Sequence, residues 1–268
     1  MIELNCIENY ITKEKDHFGL FIIQPLEIGQ GITLGNALRR TLLSELTGFA
    51  ITGVRINEIQ HEFDSKDGLR EDILEVLLNL KEIIFRSNFK VGLSKSDQKY
   101  KGFLNIKGPI IVTAGMFKLP KEKLQILNPN QYICTIFSSK HLYIEIDIEH
   151  GMGYKLANEL KTNDFSENFF PNHGSTLKMD ANFMPIKKTN YKVKLIHDTK
   201  GNIKESLQME IITNGSISPK RSILESIKIL MNILYPLFVT NNFKDLSNLF
   251  QKELLLNYLK EKKKIIKK

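Results

Sequence analysis

Gly29-x-Gly31-x-x-x-Gly35, running into Asn36-Ala37-Leu38-Arg39-Arg40, comes nearest in this chain to a segment whose residue types and spacing could do chemistry. A glycine-rich turn at the start of a helix can cradle a phosphate with its backbone N–H groups. The spacing misses the dinucleotide fingerprint, because the third glycine falls one place late and Leu34 stands where it should be. No Lys-Ser/Thr pair follows, as a Walker loop would need. Tight turns and close helix packing explain these glycines instead. The adjacent arginines are unusual in a chain with 32 Lys and only 6 Arg. Arg persists against a lysine-rich bias where its planar fork of donors is needed, in bidentate contacts or half-buried ion pairs. On a helix, neighbouring arginines cannot both lie under the apolar stripe, so at least one points elsewhere.

Catalytic apparatus is not visible. Two-metal phosphoryl chemistry needs carboxylates that hold ions ~3.5–4 Å apart. No two Asp residues lie at i,i+2, and Asp64 and Asp67 flank Ser65-Lys66 in what reads as a turn. The six His residues are scattered, without HExxH or HxH, so His61 and His150 read as structural or surface residues. GxSxG is absent. Cys6 and Cys134 are the only cysteines and lie far apart, which disfavours a disulfide framework or zinc site and fits a reducing compartment.

The elements that must position these residues follow from periodicity. Leu34, Ala37, Leu38, Leu42 and Leu46 recur at helical spacing, with Thr33 as the expected cap and Gly48 as the expected stop. His17 to Gln24 and Ile51 to Ile59 read as strands, and Glu71 to Ile84 as a well-buried helix. Phe103 to Phe137 is strand-like, broken at Gly108-Pro109 and Asn128-Pro129. His141 to His150 alternates most cleanly, and Gly151-Met152-Gly153-Tyr154 should end it. Asn163 to Thr176 reads as a loop. Phe183 to Ile196 and Leu207 to Ile212 form a hairpin around Lys200-Gly201-Asn202. A last long helix has Ser218 as cap and Pro219 at its first position; Ile223, Leu224, Ile227, Leu230, Met231, Leu234 and Phe238 supply its apolar positions, and Pro236 should kink or end it. The layout is α+β, without regular βαβ alternation.

At 268 residues, 42% hydrophobic and 25% charged, the chain suits one large or two ordinary domains of a soluble protein. No apolar run reaches the ~18 residues needed to span a bilayer, and the start carries no basic leader pattern, so no membrane partner is expected. Net charge is +8, of which Lys252 to Lys268 supply +5. The basic excess leaves open a free-standing nucleic-acid-binding protein, ribosome- or chromosome-associated. Aromatic platforms interleaved with basic residues, which would favour that reading, are not apparent.

Three ordered blocks carry a resemblance. Gly31 to Leu43, His61-Glu62-Phe63 through Glu71 to Lys81, and Thr213-Asn214-Gly215 before the last helix closely resemble the alpha subunit family of bacterial- and plastid-type RNA polymerases. The likeness runs from about Phe18 to about Phe238. It is dense up to Arg86, thin from there to about Asp180, and recovers afterwards.

The resemblance implies a discontinuous dimerisation domain, 1–51 plus 179–240, with an inserted β-rich domain at 52–178. It implies a homodimer whose seam uses Leu34, Ala37, Leu38, Leu42, Leu46, Ile223, Ile227, Leu230, Leu234 and Phe238. It implies docking of the large beta and beta-prime subunits through Asn36, Arg39, Arg40, Glu75, Lys81 and Arg86. The chain would then be a non-catalytic subunit of a nucleotidyltransferase complex, holding no cofactor itself, with magnesium in the catalytic partner. The Lys, Asn and Ile abundance suggests an AT-rich genome, and the expected location is a plastid, or alternatively a bacterial cytoplasm. Bacterial members continue into a linker and a promoter-binding helical domain; residues 241–268 are too few for one and read as a basic tail, with Leu246, Leu249, Phe250, Leu254, Leu255 and Leu259 on one amphipathic face. DNA contact would come through the complex, or weakly and with steep salt dependence through this tail.

Overall fold

Period-two alternation of apolar residues accounts for most of the regular structure, and the result is a strand-rich α+β fold with few helices. The computed structural model describes residues 2–13, 15–87, 99–120, 123–159, 175–197 and 201–239, apart from the side chains of 159 and 237–239. In chain order the elements are β1 (Glu3–Ile11), β2 (His17–Leu26), α1 (Gln30–Ser44), β3 (Thr47–Ile56), α2 (Ile73–Lys81), β4 (Phe85–Ser87) and β5 (Lys99–Lys107). They continue with β6 (Ile110–Thr113), β7 (Leu124–Ile126), β8 (Tyr132–Ile136), β9 (His141–Met152), β10 (Tyr154–Lys155), β11 (Leu177–Lys178) and β12 (Ala181–Asn182). The last three are β13 (Ile186–His197), β14 (Ile203–Thr213) and α3 (Pro219–Val239).

Two four-stranded antiparallel sheets organise the chain, in the orders β1-β2-β14-β13 and β11-β3-β9-β5, with three small two-stranded pairs beside them. The first sheet draws its strands from both ends of the described chain. Its inner face and α1 and α3 enclose a core of Phe21, Ile23, Leu26, Leu38, Leu42, Leu46, Ile186, Leu207, Met209, Ile211 and Ile223. A second core runs from Ile51 to Met179 and includes Val54, Leu80, Leu104, Ile144 and Ile146. On β9, Leu142, Ile144, Ile146 and Ile148 are all buried, as strict alternation requires.

The chain passes between the two cores twice, and both crossings meet at one aromatic ring. Phe183 is buried with Ala50 and Ala181. Gly48 and Gly151 face each other across β3 and β9. A Cβ on Gly48 would lie 2.3 Å from the Phe183 carbonyl oxygen, and one on Gly151 would lie 2.9 Å from the ring. Glycine is required at both places because nothing larger leaves room for Phe183.

Several boundaries differ from the sequence expectation. α1 starts at Gln30 behind a left-handed Gly29 (φ 88°), so Thr33 is not its cap; the Thr33 hydroxyl donates back to the Gly29 carbonyl at 3.1 Å. The cap comes from Glu205, a residue remote in sequence. The helix ends at Ser44, and Gly48 belongs to β3 rather than stopping it. α2 is shorter than Glu71 to Ile84 at both ends; Glu71 lies before it, where its carboxylate accepts from the Thr135 N–H at 2.7 Å and the Tyr132 hydroxyl, both on β8. β9 runs past Gly151 to Met152. α3 continues through Pro236 to Val239. The proline removes one helical hydrogen bond near the last turn, and the carbonyl it strands belongs to exposed Asn232, within reach of water. The anticipated loop at 163–176 and the basic tail lie almost wholly outside the described residues.

His150 packs against Phe49, ring centroids 4.8 Å apart, and burial lowers its pKa from the ordinary value. The folded chain therefore binds this proton more weakly than the unfolded chain. The associated stability is present above about pH 6.5 and is lost as pH falls through that value toward the depressed one. Urea midpoints should fall between pH 7 and pH 5.5, and His150→Gln should flatten that slope; an unchanged slope in the variant would remove His150 from the account.

Candidate functional site

α1 lies with its backbone almost on the β13–β14 hairpin, because its contact face is glycine. A Cβ on Gly31 would come within 2.9 Å of Val193, and one on Gly35 within 2.6 Å of the Tyr191 ring. The first turn is held by the buried Glu205 carboxylate, which accepts from the Gly29 N–H at 2.9 Å and the Gly31 N–H at 2.8 Å. Glu205 thus fills the helix N-terminus with an internal anion, where a phosphate-binding loop would hold its ligand. The Lys204 ammonium pairs with Glu27 beside it at 2.5 Å.

With its glycine face inward, α1 turns Asn36, Arg39 and Arg40 outward together at i, i+3 and i+4. Arg39 Nε reaches the Thr189 carbonyl at 3.4 Å. The Arg40 guanidinium is exposed and has no hydrogen bond or ion pair among the described residues. On α2, Glu75 is exposed without a side-chain partner among them. Lys81 lies over the Tyr154 ring, donates to its hydroxyl at 3.3 Å and stands 3.9 Å from Asp180. The Ala157 N–H and the Tyr154 hydroxyl hold the Asp180 carboxyl below its ordinary pKa. Glu75 and Lys81 are about 120° apart around the helix, so they do not share one face. Arg86, on β4, is exposed beside a cleft of about 550 Å³ lined also by Lys15, His17, Glu82 and Lys187.

The expected dimer residues divide by exposure. Leu38, Leu42, Leu46 and Ile223 are fully buried in the chain's own core. Leu34, Ala37, Ile227 and Leu230 are half-buried, Leu234 is exposed, and the Phe238 side chain lies outside the described residues. α3 changes character along its length: Ser222, Ile223 and Ser226 are buried, whereas Met231, Ile233, Leu234 and Tyr235 are 62, 52, 61 and 52% exposed. β1 adds Leu4, Ile7 and Ile11, and Ile2 precedes it, all exposed.

Thr213-Asn214-Gly215 proves to be the entrance to α3. The Thr213 hydroxyl donates to the Ile217 carbonyl, the Asn214 amide oxygen accepts from the Ser216 N–H, and Gly215 takes a φ of 88°.

Sequence reasoning missed Arg55, which makes the half-buried ion pairs that arginine scarcity suggested for Arg39-Arg40. Its guanidinium meets Glu145 and Asp147, each at 3.1 Å, and donates from Nε to the Thr176 hydroxyl at 2.7 Å. Burial pushes the Glu145 carboxyl up, but the Lys101 ammonium at 2.8 Å and Arg55 hold it below the ordinary value. For Asp147 burial prevails and its pKa is raised. Scarcity applied equally to Arg55 would have found this pair. Glu205 was also missed, although it shares strand parity with Leu207, Met209 and Ile211, which marks it as inward-facing.

The remaining reactive side chains are engaged structurally. Asp64 accepts from the Gln60 and His61 N–H groups and pairs with the His61 ring, while Asp67 pairs with Lys140. Burial pushes the Cys134 thiol up to about 12, leaving no thiolate at neutral pH. Among the described residues no group of three or more His, Cys, Asp or Glu is placed to hold a metal ion, and no helix is long and apolar enough to cross a membrane.

The described residues form a strand-rich α+β chain with exposed apolar and arginine-bearing helix faces. Its middle portion, residues 54–184, matches the RNA polymerase Rpb3/RpoA insert domain. The chain is 44% identical over 235 residues to the DNA-directed RNA polymerase subunit alpha of Rhodomonas salina, covering 88% of this chain and 70% of that protein. The corresponding subunit of Guillardia theta is 42% identical over 235 residues (88% and 69%), and that of Thalassiosira pseudonana 44% over 230 (86% and 68%). The chain belongs to the family of DNA-directed RNA polymerase alpha subunits.

Gly35→Val tests the packing that aims α1. Despite valine's better helix propensity, crowding against Tyr191 should cost about 2 kcal/mol. Urea unfolding is the measurement, and a midpoint equal to the parent's would contradict so close an approach.

Proposed function

We propose that this chain is an assembly subunit: it forms a homodimer and presents that dimer to the beta and beta-prime subunits of a DNA-directed RNA polymerase. The observation that carries the reading is the second half of α3, where Met231, Ile233, Leu234 and Tyr235 are exposed among the described residues. Isolated exposed apolar side chains are normal, but a contiguous helical set with an apolar strand in the same molecule indicates a burial partner. A second copy would cover this end of α3 together with Leu34 and Ala37 of α1, in an isologous seam. Leu38, Leu42, Leu46 and Ile223 would then support the seam from beneath rather than cross it.

In this reading 1–51 and 179–240 form the dimerisation unit and 52–178 the inserted unit, in keeping with the two cores. Asn36, Arg39 and Arg40 form one docking face; Glu75, Lys81 and Arg86 extend the contact across the inserted unit. Arg40 is the strongest candidate, because its guanidinium is exposed on α1 with no hydrogen bond or ion pair among the described residues. Nucleotide chemistry and its magnesium belong to the large subunits, and DNA is met through the complex. The relatives' organisms and the Lys, Asn and Ile bias support a plastid location.

Affinity capture of the tagged chain from its native host, or after co-expression with both large subunits, should bring down two very large chains with polymerase activity. Arg40→Ala should leave the dimer intact and weaken capture of the large subunits at least about fivefold, the scale of one interface arginine. Undiminished capture would remove Arg40 from the docking face, and capture of naked DNA or ribosomal RNA alone would overturn the assembly reading.

A further inference from the structure

We infer that Glu205 is the positioning residue that sets the axial register of α1, and with it the placement of the Asn36, Arg39 and Arg40 face; the assembly consequence rests on the function proposed above. Helices on sheets are normally held in register by side chains interlocked with their neighbours. α1 gives up part of that on its contact face, where Gly31 and Gly35 offer no side chain to Val193, Tyr191 and Leu207. A smooth face permits close approach but does little to oppose sliding along the helix axis. Among the described residues only two groups bond α1 directly to the hairpin: Glu205 through both carboxylate oxygens, and Thr189 through a single carbonyl at 3.4 Å.

Charge-assisted bonds to a helix N-terminus are the stronger kind, and the bidentate geometry fixes direction as well as distance. The carboxylate is buried, and no cation is paired with it among the described residues, so the two N–H groups and the helix dipole are what hold its charge. Gly29 and Gly31 suit this doubly. The left-handed backbone of Gly29 turns its N–H inward, and a side chain at Gly31 would occupy the space of the carboxylate itself, its Cβ 2.7 Å from Oε2. Gly29-x-Gly31 is thus an anion-binding turn whose ligand is Glu205 of the same chain.

The test uses the full chain with two variants. In Glu205→Gln the side chain keeps its size and loses its charge; amide hydrogen exchange at Gly29, Gly31 and the first turn of α1 should speed up about tenfold or more while the rest of the sheet stays protected. In Glu205→Ala the same loss should be partly reversed by acetate, which can re-enter the vacated space, but not by chloride at matched ionic strength. Large-subunit capture should fall in both variants and recover with acetate in Glu205→Ala only. Unchanged exchange in Glu205→Gln, or acetate acting equally on the parent, overturns the positioning role whatever the chain's partners. Altered exchange with acetate rescue, but no capture even by the parent, upholds the pin and instead removes the assembly reading.

Discussion

The close approach of α1 to the β13–β14 hairpin is the constraint on which the rest of the molecule depends. It requires glycine at 31 and 35 and a carboxylate at 205, and it leaves Asn36 and Arg40 directed away from the core, with Arg39 exposed at the flank and bonded back to Thr189. The strand that supplies Glu205 also supplies Leu207, Met209 and Ile211 to the core beneath, and leads through Thr213 and Gly215 into α3. One hairpin therefore holds α1 and leads into α3, two of the three helices that carry the proposed contacts.

The second constraint lies where the chain crosses between its cores. Phe183 occupies the space vacated by Gly48 and Gly151, so the outgoing and returning segments are packed at a single point. That packing joins the segments leading to α1 and to α2 at one ring. That matters for the assembly role proposed above, because a misplaced surface loses affinity even when each contact is intact.

Much of the fold was legible in the sequence because its signals were local. Strict alternation marked β9, turn residues marked the β13–β14 hairpin, and Ser218-Pro219 marked the start of α3. The misreadings came from interactions that connect distant residues. Thr33 reads as a cap because Glu205, which holds the first turn of α1, is remote in sequence, and periodicity alone does not show that Glu71, bonded to β8, precedes α2. At the candidate site arginine scarcity singles out the adjacent pair and passes over Arg55, whose partners Glu145 and Asp147 become visible only once β3 and β9 are paired. Whether an apolar helical stripe faced its own core or a second copy was not legible, since both look alike in sequence. In the fold the stripe divides, Leu38 and Leu42 going to the core and Leu34 and Ala37 remaining partly open.

The account turns on what covers the end of α3. Sedimentation equilibrium of the purified chain at micromolar concentration measures this most directly. A mass of twice 30.9 kDa is expected, reduced toward one chain when Leu234 is replaced by Asp. A folded protomer that stays single across that range would contradict the account at its centre.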